Sequence, residues 1–92
     1  MADKVFKALA DPTRRKILRI LNDGDKAAGE IADQFTVTAA TMSHHFNVLK
    51  DAGLVRARKS GTSVIYSLDT TVFQDALTVL LDLVGQRTEA QE

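Results

Sequence analysis

The chain has no cysteine among its 92 residues, so disulfides, thiolate metal ligands and thiol redox switching are excluded. It has no apolar run of membrane-spanning length, and no basic-then-apolar start of the signal-peptide kind. An intracellular, cytoplasmic protein is therefore expected. There is no net charge either: twelve Lys and Arg balance twelve Asp and Glu. Taken alone, that balance argues against a strongly acidic partner such as nucleic acid. Glycine-rich phosphate loops and paired carboxylates with supporting chemistry are also missing. Ser43 and His44 superficially suggest a hydrolytic pair, but successive helical residues do not share a face. No enzyme and no cofactor are expected.

The charge is unevenly distributed. Residues 1–63 carry eleven of the twelve basic residues and seven of the acidic ones, a net of +4, whereas residues 64–92 carry one and five, a net of −4. A split of this kind lets one end attract phosphate while the molecule stays neutral. A chain this short makes one small domain over 1–92, with an ordered core over 3–85 and a polar, frayed tail over 86–92. Much of its surface stays exposed, so pairing with a second copy is a natural source of further burial.

In order, the sequence reads as helices, a hairpin and a last helix. Asp3 to Ala10 places Val5, Phe6 and Leu9 on one side. Asp11 then serves as an N-cap and Pro12, the only proline, takes the first helical position, where its missing N–H costs nothing. Ile17, Leu18 and Leu21 form the buried stripe that follows, and Arg14, Arg15, Lys16 and Arg19 read as a solvated face. Gly24 closes the helix. Ala27 to Phe35 is a third helix with Ile31, Ala32 and Phe35 inward. Gly29 inside it costs about 1 kcal/mol of propensity relative to Ala, which close approach of a neighbouring helix would justify.

A brief turn at Thr36-Val37 leads to Thr38, an N-cap, and to a helix closed by Gly53. Two helices joined so tightly must cross steeply, as in a helix-turn-helix. Met42, Phe46 and Leu49 form the apolar stripe of the second helix. Ala40, Thr41, Ser43, His44 and Asn47 fall on the opposite side, a face small at its start and free of acid until Asp51. A solvated polar surface has this pattern. So does a helix entering a DNA major groove, where small residues permit close approach and polar tips meet base edges. His45 borders the apolar stripe and is expected to pack inside, with one ring nitrogen hydrogen-bonded. Adjacent helical histidines diverge by about 100°, so His44 and His45 cannot close on one ion, and no metal site is expected.

After Gly53 the period changes to that of strands. Leu54–Lys59 and Thr62–Leu68 flank Ser60-Gly61, a β-hairpin with Val64, Tyr66 and Leu68 toward the domain. Arg56, Arg58 and Lys59 crowd the arms near its tip, either as edge protection or as contacts for a nucleic-acid backbone. Thr70 or Thr71 caps the last helix. Its apolar positions, Val72, Phe73, Ala76, Leu77, Val79, Leu80, Leu81, Leu83 and Val84, exceed one stripe, so burial on two sides is expected. A symmetric dimer through this helix, together with the first one, supplies the second side. Its interface is expected to use Val5, Phe6, Leu9, Val72, Phe73, Leu77, Leu80, Leu81 and Val84.

Phe6-Lys-Ala-Leu-Ala-Asp-Pro-Thr-Arg-Arg-Lys-Ile-Leu18 resembles the opening signature of ArsR-type winged-helix repressors. Ser43-His-His-Phe-Asn-Val-Leu-Lys-Asp-Ala-Gly-Leu-Val55 is similar to their recognition-helix signature, and Gly61 to Tyr66 to their wing. The likeness runs from Val5 to Val84 and is greatest to the short, cysteine-free autorepressor subgroup typified by the sporulation-delaying-protein operon repressor. It implies a mainly α fold with a β-hairpin, the winged helix-turn-helix (α-α-α-α-β-β-α). It also implies a homodimeric bacterial transcription factor that binds an inverted-repeat, double-stranded DNA operator and represses, without a regulatory metal. On this reading Ala40, Thr41, Ser43, His44 and Asn47 meet bases or the groove, and Thr38, Arg56, Arg58, Lys59 and Thr62 meet phosphate. Two alternatives stay open: relief of repression by a small organic ligand or partner protein, and a winged helix used only for protein docking.

Overall fold

A computed structural model describes the backbone of residues 2–90 and the side chains of residues 3–85. In chain order the elements are α1 (Ala2–Leu9), α2 (Pro12–Leu21), β1 (Lys26–Ala27), α3 (Ala28–Ala32), α4 (Ala39–Asp51), β2 (Val55–Ser60), β3 (Ser63–Leu68) and α5 (Thr70–Ala90). No described helix is long and apolar enough to cross a membrane.

Local chemistry sets most of the boundaries. The Asp11 carboxylate accepts from the Arg14 backbone N–H at 3.0 Å, and Pro12 opens α2. At the end of α4 the N–H of Gly53 donates to the Lys50 carbonyl and that of Leu54 to the Leu49 carbonyl, both at 3.0 Å. This is a Schellman closure, with Leu49 and Leu54 both fully buried as its apolar contact. Gly53 has φ +79°, and a Cβ there would stand 3.0 Å from Val72 Cγ2, so backbone strain and α5 packing both require glycine. Gly61, with φ +63°, is the first of the two residues between the paired Ser60 and Ser63. Positive φ at that position alone is the pattern of a type II′ hairpin turn.

The hairpin acquires a third strand. Lys26 and Ala27 pair antiparallel with Tyr66 and Ile65, giving the sheet order β1-β3-β2. Two residues are too short a run for a period-2 pattern to show in the sequence. α3 ends at Ala32 rather than Phe35, and its N-terminus is held by Glu30, whose carboxylate accepts from the Ala27 N–H at 2.9 Å. Phe35, half-buried beyond the helix, has the Lys16 ammonium 4.9 Å from its ring centroid. Gly29 lies in open space with no atom within 4 Å of an added Cβ, so the expected close approach is absent. Asp69, not a threonine, caps α5, its carboxylate accepting from the Thr71 N–H at 3.0 Å.

The core gathers Ile17, Leu18 and Leu21 of α2, Ile31 of α3, Met42, Phe46 and Leu49 of α4, Tyr66 of β3 and Ala76 of α5. Val5, expected at a partner interface, is 3% exposed inside this core, while Phe6, Leu9, Val72 and Phe73 pack half-buried on its margin. Leu77, Leu80, Leu81, Leu83 and Val84 remain 48–72% exposed. Leu77, Leu80, Leu81 and Val84 lie on a flank rotated away from the buried Ala76, and α5 runs on to Ala90, beyond the rest of the domain. The radius of gyration is accordingly 15.3 Å, against about 12 Å for a compact domain of this size. Side chains from residue 86 on lie outside the described residues.

Candidate nucleic-acid interface

The outward face of α4 is built by the residues that anchor its inward one. Met42, His45, Phe46 and Leu49 are buried, and Phe46 stacks on Tyr66 with ring centroids 4.3 Å apart and planes 17° from parallel. With those contacts fixed, the helical period turns Ala40, Thr41, Ser43, His44 and Asn47 outward, and all five are exposed. Thr38 Oγ1 accepts from the Thr41 N–H at 3.1 Å and donates to Thr41 Oγ1 at 2.9 Å. Part of its hydrogen-bonding capacity is therefore used in starting the helix. The first turn of α4 carries no acidic residue, leaving its positive dipole end uncompensated.

The arginines of α2 do more than cover a solvated face. Arg14 Nε donates to the Ala8 carbonyl at 2.8 Å, and one terminal nitrogen to the Lys7 carbonyl at 3.1 Å. Its other terminal nitrogen lies 3.1 Å from His45 Nδ1. Arg15 donates to the Leu9 carbonyl at 2.8 Å. Together they satisfy the Ala8 and Leu9 carbonyls, which the helix terminus leaves without partners, and join the Ala10 N–H on that of Lys7. A signal for Arg14 existed, since Ile17, Leu18 and Leu21 follow it at i+3, i+4 and i+7. It thus stands on the buried stripe, one turn ahead.

His45 is 8% exposed, and its Nδ1 also lies 3.9 Å from Asp11 Oδ2. Burial holds its pKa below the usual imidazole value, with Arg14 and His44 adding to the effect and Asp11 opposing it. The Asp11 carboxyl is also held below its ordinary value, first by the hydrogen bond from the Arg14 backbone, against a smaller cost of burial.

Register divides the cations of the wing. Ala57 pairs with Tyr66 and Lys59 with Val64, on the sheet face turned toward α4, whereas Arg56 pairs with Ser67 and Arg58 with Ile65, on the other face. Arg56 Nε lies 3.3 Å from Asp69 Oδ2, and Arg58 lies 3.1 Å from Asp25 Oδ2 and 3.4 Å from Ser67 Oγ. Arg58 and Ser67 keep the Asp25 carboxyl below its ordinary value. Lys59 has no such partner among the described residues. Thr62, at the tip, is exposed. The expected phosphate set therefore falls into two groups, Thr38, Lys59 and Thr62 with free surface, and Arg56 and Arg58 already paired to carboxylates.

Among the described residues no three His, Cys, Asp or Glu side chains come together as a metal would require. The His44 and His45 rings are 5.9 Å apart and tilted by 50°.

Comparison with known proteins agrees with this geometry. The family described as "Bacterial regulatory protein, arsR family" matches residues 11–57, which span α2 through the first half of β2. The transcriptional repressor SdpR of Bacillus subtilis (strain 168) is 44% identical over 84 residues, covering 91% of this chain and 93% of its own. A crystallised ArsR family transcriptional regulator superposes with a TM-score of 0.84 at 30% identity, over 95% of this chain and 89% of that one. A homodimeric winged helix-turn-helix DNA-binding domain from Mycobacterium bovis, a possible ArsR-family regulator, gives a TM-score of 0.69 at 32% identity. The coverage is 98% of this chain and 82% of that one.

Proposed function

This chain belongs to the ArsR family of bacterial regulatory proteins, and from that premise we propose that it is an autorepressor acting as a homodimer on an inverted-repeat operator. The observation that carries the reading is the α4 face: five small or polar side chains exposed together, backed by four buried ones. Each protomer lays Thr38–Lys50 in a major groove, and the two-fold axis sets the grooves about 34 Å apart, one turn of duplex. Ser43, His44 and Asn47 supply hydroxyl, imidazole and amide tips to base edges, while Ala40 and Thr41 permit close approach. Thr38, Lys59 and Thr62 contact phosphate directly, and Arg56 and Arg58 do so after leaving Asp69 and Asp25. Repression is steric, by occupation of the promoter, and needs no metal.

Pairing is supported by the row of exposed leucines on α5. Leu77, Leu80, Leu81 and Val84 cluster on one flank of the helix, beside the Ala76 line that meets the domain. Leu83 continues the domain-facing line where no domain remains beneath it.

The test is retention of genomic fragments by the purified protein, followed by binding to a retained fragment at several salt concentrations. With about 6–10 phosphates neutralised per dimer, affinity should fall by about 10³–10⁵ between about 50 and 200 mM salt. If no fragment is retained at low salt, or if Ser43→Ala and His44→Ala bind as the parent does, the docking-only alternative is favoured instead.

A further inference from the structure

We propose that Arg14 is a positioning residue for DNA reading, which sets α4 against the end of α1 only while His45 is unprotonated. The proposal rests on the reading that α4 enters the groove. Its basis is the placement of a single guanidinium, which holds the Lys7 and Ala8 carbonyls with two of its nitrogens and reaches His45 Nδ1 at 3.1 Å with a third. α1 lies beside α5, the helix through which two copies pair, and α4 presents the polar face. Arg14 thus joins the pairing side of the protomer to the reading side through one rigid, planar group.

The protonation state follows from donor and acceptor chemistry. A guanidinium has donors only and keeps its charge, so Nδ1 must accept and the imidazole proton must sit on Nε2. A second proton removes that acceptor and sets two cations about 3 Å apart at a site of 8% exposure. The charged and titratable groups facing His45 are Asp11 and Arg14 from α2 and His44 from α4 itself, while α1 contributes carbonyls to the same arginine. Among the described residues Asp11 is the one group that would attract the new cation, and its carboxylate already caps α2. Protonation therefore detaches α4 from α1 and pulls the ring toward the start of α2. The outward residues Ser43, His44 and Asn47 move with the helix.

The experiment uses the full chain and a duplex from a retained genomic fragment. Affinity is measured by fluorescence anisotropy at about pH 7.5 and about pH 5.5, on either side of ordinary imidazole titration. His45→Asn places an amide oxygen near Nδ1 and cannot titrate, and Arg14→Lys keeps the charge without the fork. The readout is the ratio of the affinity at the lower pH to that at the higher, compared between parent and His45→Asn. The parent ratio should fall below that of His45→Asn by up to about tenfold, the limit at about pH 5.5 for a group that titrates no higher than ordinary imidazole. Arg14→Lys should weaken binding at the higher pH. Identical ratios in parent and His45→Asn overturn the proposal.

Imidazole and amide NMR of the parent without DNA decides the case if a variant does not fold. The amides of Lys7 and Ala8 and those of Ser43 to Asn47 should shift together with the His45 titration. A His45 titration that leaves the Lys7 and Ala8 amides unmoved also overturns the proposal. Failure of every protein to bind DNA, with the coupled titration intact, would instead count against the functional reading.

Discussion

Replacing Leu81 with glutamine separates the contribution of pairing from that of the protomer fold. Leu81 is 53% exposed on α5 in the single chain, so the substitution removes little from the core, and glutamine keeps the helix. Full burial of a leucine contributes about 1.5–3 kcal/mol. The half still exposed therefore represents about 0.8–1.6 kcal/mol per copy, and about 1.6–3.2 kcal/mol in a two-fold dimer where the residue occurs twice. That corresponds to a rise of about 15- to 200-fold in the dimer dissociation constant. Sedimentation velocity over a wide concentration range measures it directly, and far-UV circular dichroism confirms that the helices persist. The reasoning is refuted if the parent sediments as a single chain at micromolar concentration. It is equally refuted if the parent pairs and Leu81→Gln pairs as tightly.

Further outcomes are expected. Gly29→Ala should stabilise the protein by about 0.5–1 kcal/mol, because the site is helical and open; Gly53→Ala should destabilise it by about 1–2 kcal/mol or more, because φ is +79° and Val72 stands in the way. Urea melts measure both. Lys59→Ala should lower the salt slope of DNA binding by about 0.9 for each phosphate lost, and Arg58→Ala by less, since Arg58 begins paired. Asp25→Asn should tighten binding more than Asp23→Asn, which removes the same charge two residues away; equal effects in anisotropy would show that only the long-range field matters. Stability should decline as pH falls below about 6.5, because the unfolded chain takes up a proton that buried His45 resists. A second decline should begin as pH falls through the ordinary Asp range, where the unfolded chain takes up a proton that Asp11, held ionised by its cap hydrogen bond, resists. Urea melts of His45→Asn should lack the upper decline and keep the lower.

Much of the fold is legible in the chain because its signals are local. The cap at Asp11-Pro12, the cap at Thr38, the closure at Gly53 and the turn at Gly61 each follow from the preferences of one or two residues. The outward face of α4 is equally legible, since Met42, Phe46 and Leu49 fix its opposite. What escapes such reading depends on distant partners. Arg14 looks like solvated charge until α1 delivers its carbonyls, and Arg58 looks like edge protection or a free phosphate contact until the α2–β1 loop delivers Asp25. β1 is too brief to carry a period and exists because Tyr66 and Ile65 offer an unpaired edge. Gly29 invited a packing explanation, yet no neighbour approaches it.

The sequence by itself determined which helices form, where α2 and α4 begin, where α4 stops and which side of α4 is polar, because backbone preference and helical period act over a few residues. Only the tertiary structure decided that Lys59 shares the face of α4 while Arg56 and Arg58 turn away. It alone, too, decided that His45 meets a guanidinium, and that α5 outruns the domain with its leucines uncovered. Those outcomes depend on strand register and on contacts across about 30 residues of chain, where a charged side chain meets whichever partner the fold brings within about 3 Å.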